Sequence, residues 1–249
     1  MSQIIYGIHP VEEALKSSSL QIQKILIGTQ TPHPPLQLIF DLANKRNIPI
    51  AFTTKEFIER MTKGGVHQNV VGLVKETPYA DIESILSHWK KEERKALFLI
   101  LDGIQDPQNF GSLIRTALGC GVHGIIIPKD RSVGITPTVI KASAGAVAHL
   151  PIARVVNIAT TIDTLKAEGI WVYGATGEAN DLIYQFDLNI NLAIVIGAEE
   201  KGIRPLVKKK CDRLFSIPME GPLSSFNASV SGGMILYEVM RQRSVKGGK

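Results

Sequence analysis

From Ala96 onward, short runs of apolar residues alternate with segments of helical spacing. The runs are LFLILD (97–102), GIIIP (124–128), PIARVV (151–156), IWVYGA (170–175), LAIVIG (192–197) and LFSIP (214–218). A strand such as LFLILD, apolar on both faces, has to be covered from both sides. Strand–helix alternation of this kind predicts an α/β fold: a parallel sheet with helices on each face. In open parallel sheets ligands bind beyond the carboxyl ends of the strands. The loops after these runs are therefore the places to look for function.

The first 76 residues read as a smaller α/β domain. HPVEEALK puts Pro10 at the first position of a helix. IQKILIG reads as a strand. In LQLIFDLANKRN, Leu36, Ile39, Phe40 and Ala43 recur at helical spacing. Thr53 with Glu56 three residues later is a capping-box pattern for the helix KEFIERM. NVVGLVK reads as the closing strand. Residues 77–95 read as a linker with one amphipathic helix (Ile82, Ile85, Leu86, Trp89), and their charge run reads as a solvated face. Residues 96–249 form the larger domain.

Composition excludes several classes. With 44% hydrophobic and 20% charged residues in 249, the chain is ordinarily globular. Its net charge of +5 and pI near 9.1 admit an anionic partner such as nucleic acid. Cys120 and Cys211 are far apart, and the six histidines are scattered, so neither a disulfide scaffold nor a metal site is expected. The opening MSQIIYGIHPVEEALK has no basic and apolar leader pattern, and no apolar run reaches the roughly 18 residues of a membrane span. A cytoplasmic protein away from membranes is the expectation.

Three loops carry candidate chemistry. After LFLILD, the turn Asp106–Pro107 leads through Asn109 and Gly111 into a helix. On it Leu113, Ile114, Ala117 and Leu118 are expected to face the core, with Arg115 off the buried stripe. Asn109 reads as a ligand contact or a helix cap, and Arg115 as a ligand contact or a surface charge. After LAIVIG come Gly197, Glu199 and Gly202. Glycine lets a backbone approach a ligand closely, and Glu199 can bind a ligand hydroxyl or amine, or the following helix. Lys208 to Lys210 read as a solvated face, with phosphate contact the alternative. The third loop, IPMEGPLSSFNASVSGG (217–233), combines four serines with Asn227 between a strand and a helix patterned by Val230, Met234, Leu236 and Tyr237. Ser224, Ser225 and Ser229 can serve as caps and turns, or as a hydrogen-bonding surface for a ligand. No dinucleotide-binding glycine motif, P-loop or hydrolase serine elbow is present.

Together DPQNFGSLIRTA, IVIGAEEKGI and IPMEGPLSSFNASVSGG resemble, in order and spacing, the three motifs of the SpoU/TrmH group of SPOUT methyltransferases. IIYGIHPVEEAL and GVHQNVVGLV resemble that group's appended substrate-binding domain, so the likeness covers nearly the whole chain. The resemblance implies transfer of a methyl group from S-adenosylmethionine to a ribose 2′-hydroxyl of RNA, with no metal. The resemblance points to a guanosine of 23S ribosomal RNA, and the appended domain favours rRNA over tRNA. A tRNA substrate and a non-catalytic ribosome assembly factor are the alternatives. It also implies a C-terminal sheet threaded into a deep trefoil knot, an N-terminal domain like ribosomal protein L30e, and a homodimer with the active site near the subunit interface. Knots are otherwise rare in proteins, so the resemblance alone supports this one.

Residue by residue, the resemblance gives catalytic positions to Asn109, Arg115, Glu199, Ser225 and Asn227. It gives cofactor contacts to Gly197, Ile217, Met219, Phe226 and Asn227. Phe226 stands where the family usually has Leu, Ala228 where it has Val, and Glu200–Lys201 where it has a smaller, glycine-bearing pair. The family gives Arg115 the role of base. A guanidinium stays protonated at any working pH, so Arg115 reads better as a clamp on the ribose or its phosphate.

Overall fold

A computed structural model describes residues 3–16, 22–28, 34–74, 79–222 and 225–246. The chain forms two compact units, Met1–Pro78 with Ile135–Lys141, and Tyr79–Gly134 with Ala142–Lys249.

The first unit holds strands β1 (Gln3–Tyr6), β2 (Ile22–Ile27), β3 (Ile50–Phe52) and β4 (Val70–Val74), ordered β1-β4-β2-β3. The last strand in sequence lies inside the sheet, antiparallel to both β1 and β2. Helices α1 (Ile8–Lys16), α2 (Pro34–Lys45) and α3 (Lys55–Thr62) connect the strands. Leu36, Ile39 and Ala43 are fully buried, and Phe40 is half-buried against Phe52. Two sequence expectations are corrected. Helix α1 begins at Ile8, so Pro10 takes the third helical position. The ring is tolerated there because first-turn N–H groups have no helical partner, and the Ile8 N–H finds the Gln68 side chain at 3.0 Å. The cap of α3 is Thr54, whose hydroxyl accepts from the Phe57 N–H. Thr53 is not the cap, because α3 begins at Lys55 and Thr54 is the residue that flanks it; the Thr53 N–H instead donates to the Ile27 carbonyl.

In the second unit, α4 (Ile82–Trp89) buries Ile85, Leu86 and Trp89 in the core. Just beyond its end, Lys90 and Arg94 stay exposed and pair with Glu168 and Glu92. Strands β5 (Leu97–Asp102), β6 (Gly124–Pro128), β7 (Ile152–Val155), β8 (Trp171–Ala175), β9 (Leu192–Gly197) and β10 (Arg213–Phe215) form one sheet ordered β10-β8-β9-β5-β6-β7, with every neighbouring pair parallel. All six residues of β5 are buried, as expected for its central place. Strand β10 ends at Phe215, short of the expected Pro218, with only an isolated bridge from Ser216 to Leu182 beyond it.

Helices α5 (Pro107–Gly119), α7 (Ile158–Ala167), α8 (Pro205–Lys210) and α9 (Ala228–Lys246) follow their strands, while α6 (Pro137–Ala142) belongs, except for Ala142, to the first unit. On α5, Leu113, Ile114 and Ala117 are buried, but Leu118 is exposed, contrary to expectation. Helix α5 packs against α9 and the short turn Ala146–Ala148, and Leu118 lies off that side. On α9, Ile235, Leu236 and Val239 are buried, while Val230, Met234 and Tyr237 point outward. Lys208 and Lys210 pair with Glu178 and Asp163. Cys120 and Cys211 are free thiols; burial raises both, Cys211 to about 12. Among the described residues no helix is long and apolar enough to cross a membrane.

Candidate active site

The parallel register lines up the strand ends. Asp102 pairs with Gly197, and Ala175 with Ile196. The loops after β5, β8 and β9 therefore leave the sheet side by side. Asp102 is buried, and a buried carboxylate needs partners. It accepts from the Arg204 backbone N–H (2.8 Å) and from Arg204 Nε (2.7 Å), which pins the loop after β9 to the end of β5.

That loop turns back on itself. Ala198 and Gly202 exchange hydrogen bonds of 3.2 and 2.8 Å. A side chain on Gly197 would stand 2.1 Å from the Gly202 carbonyl carbon. Glycine is thus required at 197 for backbone to meet backbone, a use the sequence did not suggest.

Three of the expected residues converge on one another. Asn109 Nδ2 donates to Glu199 Oε1 (2.8 Å), Asn227 Nδ2 donates to Glu199 Oε1 (2.7 Å), and Asn227 Nδ2 also donates to Asn109 Oδ1 (3.0 Å). The cap of α5 is Asp106, which accepts from the Asn109 N–H, so the Asn109 side chain is free for this cluster. Asn227 does cap its helix: Oδ1 accepts from the N–H groups of Ser229 and Val230 and from the Ser229 hydroxyl. The Ala228 N–H completes the set on Glu199 at 3.2 Å. Helix α9 reaches this position because Gly232 lets it press on α5; a side chain there would lie 2.2 Å from Leu113 Cδ2.

Beside the cluster lies a pocket of about 490 Å³. Of the expected residues, Gly197, Glu199, Ile217, Met219, Ser225 and Phe226 line it. Arg115 is exposed on α5, outside the pocket lining, and makes no ion pair or hydrogen bond among the described residues. Ser224 lies outside the described residues. Sequence reasoning missed the pocket wall Thr176–Glu178 after β8, although the strand-end rule points to that loop as firmly as to the others. It also missed Arg204, for which no local signal exists. The Lys208 ammonium against Glu178 holds that carboxyl below the usual range.

The pocket wall mixes apolar side chains (Ile196, Ile217, Met219, Phe226) with Glu178, Glu199 and Glu200 against one cation, Lys201. Such a wall suits a ligand with an apolar ring and positive charge. No three His, Cys, Asp or Glu side chains among the described residues gather at metal-binding distance.

Comparison with known proteins places this architecture. The SpoU rRNA Methylase family matches residues 96–237, and the RNA 2′-O ribose methyltransferase substrate binding family matches residues 4–80. YacO of Bacillus subtilis (strain 168), assigned by name to the TrmH family of tRNA/rRNA methyltransferases, is 42% identical, covering 98% of this chain and 97% of its own. The 23S rRNA (guanosine-2′-O-)-methyltransferase RlmB of Coxiella burnetii is 40% identical, covering 98% of each chain. The crystal structure of the SpoU methyltransferase AviRb from Streptomyces viridochromogenes in complex with AdoMet shares the fold. Its TM-score is 0.75 at 24% identity, over 98% of this chain and 91% of that one. With both family matches in register and whole-length relatives above 30% identity, the chain belongs to the SpoU rRNA methylase family.

Proposed function

We propose that this protein transfers a methyl group from S-adenosylmethionine to the ribose 2′-hydroxyl of a guanosine in 23S ribosomal RNA. The reading is carried by the meeting of Asn109, Glu199 and Asn227 at the rim of the pocket. It is supported by relatives named 23S rRNA (guanosine-2′-O-)-methyltransferase at 36–40% identity over nearly their full length. The pocket fits the cofactor in size, since ligand pockets run to about 300–1,000 Å³, and in its excess of carboxylates. When bound, S-adenosylmethionine supplies an electrophilic methyl on sulfur. Ile217, Met219 and Phe226 would lie against its apolar ring, and the loop from Gly197 with Ser225 would hold its polar end.

The cluster keeps the loops after β5 and β9 and the start of α9 in one arrangement beside the acceptor ribose. Arg115 binds the ribose or its phosphate and stabilises the charge that develops as the hydroxyl attacks. It does not take the proton, which passes to phosphate or water after the new bond forms.

The finer architecture is part of the same proposal: residues 1–76 an L30e-like RNA-binding domain, 77–95 a connecting helix, 96–249 a knotted methyltransferase domain, and a cytoplasmic homodimer. The homodimer is supported by exposed apolar side chains on α9 (Val230, Met234, Tyr237, at helical spacing along one side) and on the neighbouring α5 (Leu118). Leu118 is one helical turn from Arg115, so a second copy covering that face would approach the acceptor site.

The test is methylation of unmodified 23S rRNA and tRNA transcripts in vitro, with the modified ribose mapped. Methyl on a 23S guanosine is expected. Methyl on tRNA alone would replace the substrate, a reading that the tRNA/rRNA name of the Bacillus relative keeps in view. Arg115→Ala should abolish transfer and spare cofactor binding.

A further inference from the structure

The carboxyl edge of the sheet continues past the cluster onto β6 and β7. There the turn Lys129–Gly134, sequence KDRSVG, is fixed at several points. The Lys129 N–H donates to the Val155 carbonyl (2.7 Å), and the Ser132 hydroxyl to the Pro128 carbonyl (2.6 Å). The Val133 N–H donates to the Ile104 carbonyl (2.9 Å), which ties the turn to the segment leading into Asp106 and Asn109. Arg154, its guanidinium 5.4 Å from the centre of the Tyr79 ring, donates from Nη2 to the Lys129 carbonyl at 2.7 Å.

Gly103, at φ 92°, is the junction of three loops. A side chain there would lie 3.7 Å from the Arg131 carbonyl and 3.8 Å from Cβ of Ala198, the residue before Glu199. Through Gly103 the turn therefore comes close to the loop that carries Glu199. It does so from the β6 side of β5, whereas the pocket is built on β8 and β9.

Arg131 has φ 60°, the left-handed region that residues with a Cβ adopt only at a cost. The turn holds it there although its guanidinium serves no neighbour. Lys129 and Arg131 are exposed, and neither side chain makes an ion pair or hydrogen bond among the described residues. The turn carries a single carboxylate, Asp130.

We infer that this turn is a track for the RNA backbone, with Lys129 and Arg131 contacting phosphates that flank the acceptor nucleotide and Arg154 holding the turn in place. The inference rests on the RNA methylation reading. With the cofactor on the β8–β9 side and the acceptor ribose over the cluster, the polynucleotide runs on over β6 and β7. Guanidinium and ammonium groups without internal partners suit phosphate oxygens. Such contacts position RNA without reading its sequence, and they release counterions.

The test is the paired variant Lys129→Gln with Arg131→Asn, asparagine being tolerant of left-handed backbone. Binding to unmodified 23S rRNA and tRNA transcripts is followed by fluorescence anisotropy across a salt series, and cofactor affinity by calorimetry. Affinity for either transcript the protein binds should fall about tenfold at 0.15 M salt, and the slope of log K against log salt by about 1.5. Cofactor affinity should be unchanged. Charge-preserving Lys129→Arg with Arg131→Lys should restore the wild-type slope, which separates lost charge from a collapsed turn. Wild-type affinity and slope in the neutral pair, or no restoration by the charged pair, would overturn the inference and leave the methylation reading standing. A wild-type protein that binds neither transcript would remove the RNA reading itself, and this inference with it.

Discussion

The side-chain amide of Asn109 reaches the carboxylate of Glu199 at 2.8 Å across 90 positions of sequence. Because Asn227 and the Ala228 N–H converge on the same oxygen, Glu199 is the hub that joins three loops. Glu199→Ala removes the shared acceptor and leaves only the Asn227–Asn109 hydrogen bond, and methyl transfer should fall at least about a hundredfold, the scale of losing one positioned polar group at a reacting centre. Glu199→Gln keeps one carbonyl acceptor and should retain more activity than Ala. Both rates are measured with labelled cofactor. Equal activity in Glu199→Ala and wild type would end the role given to the cluster.

Gly232 brings α9 onto α5, with Leu113 Cδ2 at 2.2 Å from the position of an added side chain. Gly232→Ala should cost about 1–3 kcal/mol as overpacking and should lower activity by displacing Asn227. Adding Leu113→Val makes room at that contact. The double variant should regain part of both losses, read by thermal unfolding and by methyl transfer.

Arg243, near the end of α9, donates to the carbonyls of Lys95 (3.0 Å), Ala96 (2.7 Å) and Ile190 (2.8 Å) at the amino end of the sheet. Burial, reinforced by the charge of Arg94, holds its pKa down at about 10, so it remains a cation at neutral pH. Arg243→Met strands those carbonyls and should cost about 3 kcal/mol. That corresponds to roughly 10 °C in the melting point of a unit this size. Cofactor affinity, measured by calorimetry below the melting range, should not move.

His123 sits buried with Nδ1 accepting from the Leu97 N–H at 3.0 Å and Nε2 facing Glu92 at 3.5 Å. Burial holds the imidazole below the usual histidine range; Arg94 and Arg243 push the same way, while Glu92 and the Leu97 backbone oppose. A depressed pKa means that the folded state prefers the neutral ring. Stability is therefore fully present above the unfolded pKa of about 6.5 and is lost as pH falls below it. His123→Asn keeps an acceptor for Leu97 but cannot titrate. Between about pH 6.5 and 5 its melting temperature should decline less steeply than that of the wild type, and parallel curves would refute the assignment.

Much of this architecture was legible in the chain. Six apolar runs became six parallel strands, because burial on both faces is a local property of residues such as Leu97 to Leu101. Errors fell at element boundaries: Thr53 lost the cap of α3 to Thr54 because the chain stays bonded to Ile27 through Thr53 and turns into the helix one residue later. Leu118 has the right spacing for the core and the wrong side of α5 for the helix that covers it.

By itself the sequence determined the elements, their parallel pairing and the family, since periodicity, capping residues and motif order are written in adjacent positions. Only the tertiary structure decided what the motif residues touch. It joined Asn109 to Glu199 and Asn227, left Arg115 without a hydrogen bond to them, and packed backbone against Gly197 as well as setting it in the pocket wall. The physical reason is that a hydrogen bond between residues 28 or 118 positions apart depends on strand order and register, here Asp102 beside Gly197, which no local pattern encodes.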